Sequence, residues 1–208
     1  YFGMFEDYIK NELKISASKV AEYSKYKNMY SSILYVDEAI KEFFEDYQKL
    51  PKYQNTIFII TGDHRLPEIP LATTIDRFHV PIMIFSPKLN TSKRMHGVTS
   101  HFEITPTLLS LLGNRFDLNL PSKVAWKGFV MDTSSVFQSK ISNPLMRNKN
   151  QLVDYISGEY VLADNQLYRL FDNMGLEPVT DVSMKEKLQS EFETYKNSNR
   201  YATGNNRI

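Results

Sequence analysis

The chain has 208 residues, 25 Lys and Arg against 24 Asp and Glu, a net charge of +1 and no cysteine. At 42% hydrophobic and 13% aromatic it can fill a core, which excludes global disorder, and its balanced charge excludes a broad basic surface for nucleic acid. The missing thiols exclude a disulfide scaffold, a thiolate zinc site, an iron–sulfur cluster and a thiol nucleophile.

The length suits a single domain over residues 1–208. No run approaches the roughly 20 apolar residues of a membrane helix, and no signal peptide is visible, so the chain itself reads as soluble. It opens on Tyr1, with Phe2, Phe5, Glu6, Asp7 and Tyr8 and no initiator Met, which reads as the interior of a longer protein.

From about Ser16 to Leu50 the pattern is helical. Met29, Ile33, Val36, Ile40, Phe43 and Tyr47 are spaced by four and three, which draws one apolar stripe for packing, and Pro51 ends the element. Thr56 to Thr61 is a continuous, β-branched apolar run, the signature of a strand buried on both faces in a parallel sheet. A second such run spans Val80 to Phe85. The segment between them, Leu66 to Phe78, is too long for a simple turn and long enough to carry a site.

Thr99 and Ser100 offer N-cap chemistry for a helix that runs through Leu112, with Pro106 in its first turn and Gly113 at its end. Val124 to Phe129, carrying the only tryptophan, Trp126, reads as a strand, and Asp132 to Asn150 as loop. Glu159 to Leu170 is a hairpin around Asp164-Asn165. A charged helix from about Met184 to Tyr195 follows, then a polar tail, 197–208, expected to be flexible. The class is α/β, with a mixed, mostly parallel sheet flanked by helices and a C-terminal β-hairpin and helix. So few strands leave one sheet edge open, which predicts a homo-oligomer unless other strands cover it.

Asp63-His64 is the sharpest chemical feature. A parallel strand delivers its C-terminal end to the crevice where α/β proteins hold ligands, and Gly62 permits a tight turn there. On an irregular loop the adjacent carboxylate and imidazole can face one divalent ion; oxygen with nitrogen, and no sulfur, suits Mn²⁺, Zn²⁺ or Mg²⁺. The alternative is a polar loop with an Asp turn and an exposed His. His79 lies just before the second strand, as a contact to a metal ligand or to a substrate anion, or as a brace for the loop. Arg65 could reach a phosphate through its planar fork, and Arg77 is a weaker candidate of the same kind. His101 reads as part of a helix cap and His96 as solvent-facing. Trp126 reads as core or domain edge, with a substrate groove as the alternative.

Four blocks occur in order: YSSILYVDEAIKEFF, NTIFIITGDHR, HVPIMIFSP and SHFEITPTLLSLLG. This order, over roughly Tyr26 to Gly113, resembles the sulfatase branch of the alkaline phosphatase superfamily. Within it, the similarity is closest to the lipoteichoic acid synthase, or phosphoglycerol transferase, group. The resemblance implies an alkaline phosphatase-like fold and metal-dependent transfer or hydrolysis at phosphorus or sulfur. Asp63 and His64 would be ligands of one divalent metal, Mn, Zn or Mg, with Arg65 and His79 facing substrate. Arg65 departs from the Gly or Tyr common after the pair.

The family's nucleophilic Thr and acidic ligand have no counterpart here. The chain therefore reads as the C-terminal portion of a catalytic domain, with no catalytic nucleophile of its own and no turnover alone. The parent implied is membrane-anchored through a preceding segment and faces the extracytoplasmic side. Its substrate would be a phospholipid headgroup or an anionic cell-envelope polymer. The alternatives are a sulfate-ester hydrolase, or a non-catalytic fragment that binds a partner or anion.

Overall fold

The computed structural model describes residues 1–70, 72–124, 126–148 and 151–205. Contacts divide the chain into two compact units, Tyr1–Ala72 with His79–Ser92, and Thr73–Phe78 with Lys93–Ile208.

In the first unit α1 (Phe2–Asp7) continues into a π-helical turn, Tyr8–Glu12, and α2 (Ala17–Ser24) precedes α3 (Lys27–Tyr47). The helical stretch expected from Ser16 to Leu50 is thus broken at Tyr26, whose φ of −114° and ψ of 24° are not helical. Phe5 and Ile9 are buried, and Phe5 stacks on Tyr30 of α3 at 5.6 Å. A 3-10 turn, Pro51–Asn55, leads into β1 (Phe58–Thr61), and β2 (Ile82–Phe85) completes the unit.

The face α3 turns to the strands carries Phe44 and Tyr47, which meet Phe58 at 4.8 and 5.1 Å; Phe44 also reaches Phe85. The stripe drawn from spacing is rotated from this face, leaving Ile33, Val36 and Phe43 about half exposed. Two apolar stripes overlap on α3, and periodicity alone does not choose between them.

β1 and β2 are antiparallel, with Phe58 opposite Phe85 and Thr61 opposite Ile82. This corrects the parallel reading. Parallel neighbours need a long crossover, usually a helix, and among the described residues of 62–81 the only helical element is a 3-10 turn, Ile75–Phe78. Nor are the two strands buried on both faces, since Met83 and Ile84 are 54% and 40% exposed.

In the second unit β3 (Gly97–Val98) precedes a 3-10 turn, His101–Glu103, and α4 (Ile104–Phe116). Ser100 closes a capping box: its Oγ accepts from Phe102 N, while Glu103 Oε2 accepts from Ser100 N at 2.8 Å. α4 runs past Gly113 and stops at Asp117, whose φ is +52°. The expected strand at Val124–Phe129 is not formed by the described residues there, and Ala125 lies outside them.

Asp132–Asn150, read as loop, contains β4 (Gln138–Ser139) and β5 (Ser142–Asn148); Lys149 and Asn150 lie outside the described residues. Polar Ser, Asn and Pro144 hide β5, which is stabilised by pairing with β6 (Gln151–Ser157) rather than by its own propensity. β7 (Tyr160–Ala163) and β8 (Gln166–Leu170) form the expected hairpin around Asp164 and Asn165, both at positive φ as a primed turn requires. β9 (Leu176–Pro178) ends a five-stranded sheet in the order β5-β6-β7-β8-β9, antiparallel throughout. Among the described residues only β3 and β4 pair in parallel. The architecture is mixed α/β, but among the described residues the sheets are not mostly parallel, contrary to the expectation.

Alternation along the five strands builds two apolar faces. Ile156, Val161, Ala163 and Leu170 pack with Ile75 and Ile141 on one side. Tyr155, Leu162 and Leu167 face Leu188 and Phe192 of α5 (Val182–Gly204) on the other. Burying Leu188 and Phe192 contributes on the order of 2 kcal/mol each. α5 starts on Asp181, whose carboxylate accepts from Met184 N at 2.9 Å, and it continues to Gly204 through much of the segment read as a tail. Residues 206–208 of that segment lie outside the described ones.

Candidate functional site

At the C-terminal end of β1 the chain is held tightly. Thr61 Oγ1 donates to the Pro81 carbonyl at 2.8 Å. A Cβ added to Gly62 would sit 3.2 Å from Val80, so glycine lets the two segments close. Asp63 and His64 follow at once, both well exposed.

Asp63 Oδ1 accepts from His64 N at 2.8 Å, which turns the backbone on itself. His64 Nδ1 lies 2.7 Å from the Arg65 carbonyl oxygen. A carbonyl only accepts, so Nδ1 carries the hydrogen and Nε2 keeps the lone pair in the neutral ring. That Nε2 lies 3.5 Å from Asp63 Oδ2. Both atoms can accept, and both side chains are open to solvent. An imidazole anchored through Nδ1–H to a carbonyl is also the usual support of a metal-binding His.

The oxygen-plus-nitrogen donor pair therefore fits a divalent ion, as half of a ligand set. Among the described residues no group of three or more His, Asp or Glu comes together to complete one.

Arg65 Nη1 donates to three carbonyls, those of Leu66, Pro67 and Ile69, at 2.9–3.0 Å. This cation pins the start of the loop that follows the pair. His79 is exposed and precedes β2. Because β2 runs antiparallel to β1, its N-terminal end, with His79, lies at the Asp63-His64 end of the pair; parallel strands would have put it at the other.

The other candidates lie in the second unit. Arg77 Nη1 donates to the Arg147 carbonyl at 3.1 Å, a structural contact. His101 opens the 3-10 turn behind the Ser100 cap, and Trp126 is 39% exposed. His96 is not solvent-facing as its basic surroundings suggested. It is half-buried, with Nδ1 3.0 Å from Asp172 Oδ1. Seventy-six positions separate the two residues, so no local pattern could announce the pair.

A model of the sulfatase family matches residues 3–114, more than half of the chain. The chain belongs to the sulfatase family. Comparison with curated proteins and with solved structures gives no match. The match covers β1, β2, Asp63-His64 and most of α4, so Asp63 and His64 lie within the sulfatase-family stretch. Sulfatase-family enzymes are typically metal-dependent hydrolases or transferases, and the paired donors at the end of β1 are of the chemistry such a metal takes.

Proposed function

We propose that this chain is the C-terminal, metal-holding portion of a phosphoglycerol (or related phosphoalcohol) transferase of the sulfatase family. The observation that carries the reading is the approach of Asp63 Oδ2 and His64 Nε2 to 3.5 Å, with the imidazole tautomer set by the Arg65 carbonyl, inside the sulfatase-matched stretch. A divalent ion bound there, Mn, Zn or Mg, supplies positive charge to the group being transferred.

Asp63 and His64 hold and orient that charge. Arg65 keeps the loop that presents them in place through its three carbonyls, and its planar fork faces a substrate phosphate through the donors Nη1 leaves over. His79, at the same end of the strand pair, contacts the substrate anion. The nucleophilic hydroxyl and the remaining ligands come from a segment outside these 208 residues, so this chain alone does not turn over. The parent acts at the extracytoplasmic face of a cell membrane, on a phospholipid headgroup or an anionic envelope polymer.

A sulfate-ester hydrolase is the second reading, favoured by the family match itself. The two separate in the full-length parent. Release of glycerol phosphate from phosphatidylglycerol, lost on chelation and in Asp63→Ala, supports the transferase. Release of sulfate from 4-nitrophenyl sulfate with no action on the lipid replaces it with the hydrolase. Activity that survives Asp63→Ala removes the metal assignment from both.

A further inference from the structure

After α4 stops at Asp117 the chain returns along that helix. Leu120 packs on Gly113, where an added Cβ would lie 2.8 Å from Leu120 Cδ1. Met131 N donates to Thr107 Oγ1 at 2.8 Å, and the Met131 side chain is buried. Between these anchors Gly128, at a φ of +108°, sits so close to the Phe102 carbonyl that no side chain fits. Lys127 Nζ lies over the Tyr195 ring of α5, 5.4 Å from its centre.

The side chains left facing outward are apolar. Leu118, Val124, Trp126, Phe129 and Val130 are all well exposed, while Lys127 among them is half-buried. A surface loop ordinarily does the reverse, sending its lysines to water and its large apolar groups inward. An apolar surface of this kind marks contact with a protein or a membrane.

Charge and residue type choose between the two. From Leu118 to Met131 there is no Asp or Glu, whereas Lys123 is exposed and Lys127 follows it. Asp132, the first carboxylate after this run, is already paired with Lys140 at 3.0 Å. The cores of protein interfaces are depleted of lysine. Trp and Phe with Val and Leu, beside Lys, are instead the set that settles at the headgroup level of a bilayer, where indole keeps its N–H wet. We infer that residues 118–130 dock on an anionic phospholipid surface, with Trp126, Phe129 and Val130 entering the headgroup boundary and Lys123 beside the lipid phosphates. The inference goes beyond the transferase reading and needs neither the metal nor turnover.

Trp126 is the only tryptophan, so its fluorescence reports this surface alone. The full 208-residue chain is titrated with vesicles of equal parts phosphatidylglycerol and phosphatidylcholine, and with phosphatidylcholine alone. On the mixed vesicles Trp126 emission should shift to the blue and be quenched by lipids brominated on their acyl chains. Phe129→Ser combined with Val130→Ser should weaken vesicle binding about tenfold. Lys123→Ala should weaken it about fivefold on the anionic vesicles and leave binding to phosphatidylcholine alone unchanged. These side chains are exposed, and an unchanged melting temperature confirms that the variants are folded. No blue shift and no quenching at millimolar lipid overturns the inference. Vesicle binding that leaves Trp126 emission unchanged, or that survives the double variant, overturns it too. A dimer by light scattering, with Trp126 already shielded before lipid is added, gives the surface to a second copy of this chain instead.

Discussion

Thr61 Oγ1 donates a 2.8 Å hydrogen bond to the Pro81 carbonyl, tying the last residue of β1 to the residue just before β2. The bond sits two positions ahead of Asp63 and two positions behind His79. Thr61→Val keeps the shape and the β-branch but removes the donor. It should lower stability by about 1 kcal/mol, the usual net value of one hydrogen bond, read as a shift of the urea midpoint at constant slope.

Metal binding should be visible in this chain without any catalytic turnover. A ligand that binds only the native state raises its melting temperature as the ligand concentration passes the dissociation constant. Titration with Mn²⁺ or Zn²⁺ should raise the midpoint, and Asp63→Ala and His64→Ala should each abolish the rise. Both side chains are exposed, so the metal-free variants should stay within about 0.5 kcal/mol of the parent. An identical rise in both variants would place the ion elsewhere.

Arg147 separates a buried pair from an exposed one. Its Nη2 donates to Asp154 Oδ1 at 2.6 Å, and Nη1 lies 2.8 Å from Asp164 Oδ1. Asp154 is fully buried, whereas the Asp164 side chain is 67% exposed. Asp154→Ala leaves a guanidinium short of its buried partner and should cost about 3–5 kcal/mol. Asp164→Ala should cost about 1 kcal/mol or less. Denaturant unfolding of the two variants measures the contrast, and equal losses would contradict it.

Acid should act through Asp132 and Asp164. The Lys140 ammonium, 3.0 Å from Asp132, together with Ser134 N and Gln138 Nε2, holds the Asp132 carboxyl below its ordinary 3.8; Arg147 does the same for Asp164. A carboxyl with a lowered folded pKa leaves the unfolded chain binding more protons in this range. Its stabilisation is complete above pH 3.8 and is lost as pH falls through the folded value. Asp132→Asn should therefore melt below the parent at neutral pH, with the gap closing in acid. A gap that stays constant with pH would remove the ionic contribution.

Gly128 adopts a φ of +108°, and a Cβ there would lie 2.3 Å from the Phe102 carbonyl oxygen. Backbone strain and overlap act together, and the obstacle is main chain rather than a side chain that can swing away. Gly128→Ala should cost about 3 kcal/mol or more, seen as a large fall in melting temperature. A variant with the parent's melting temperature would show that this loop adapts.

The elements legible in advance were those coded by neighbours in the chain. The Asp164-Asn165 hairpin, the Ser100–Glu103 cap and the apolar run of β1 each depend on residues within a few positions of one another. Asp63-His64 was legible for the same reason, as adjacent donors after a strand and a glycine. β5 was not, because its residues are polar and its stability comes from β6. The direction of β2 was not either: two apolar runs look alike whether they pair parallel or antiparallel.

By itself the sequence determined the α/β class, the sulfatase resemblance and the adjacency of two donor side chains, Asp63 and His64, because short-range chemistry and local order carry all three. Tertiary structure alone decided which way β2 runs, and so which end His79 shares. It decided that Arg65 spends Nη1 on backbone carbonyls, and that His96 meets Asp172 across 76 positions. Those outcomes follow from pairing and packing between distant segments, whose free energies no local pattern contains.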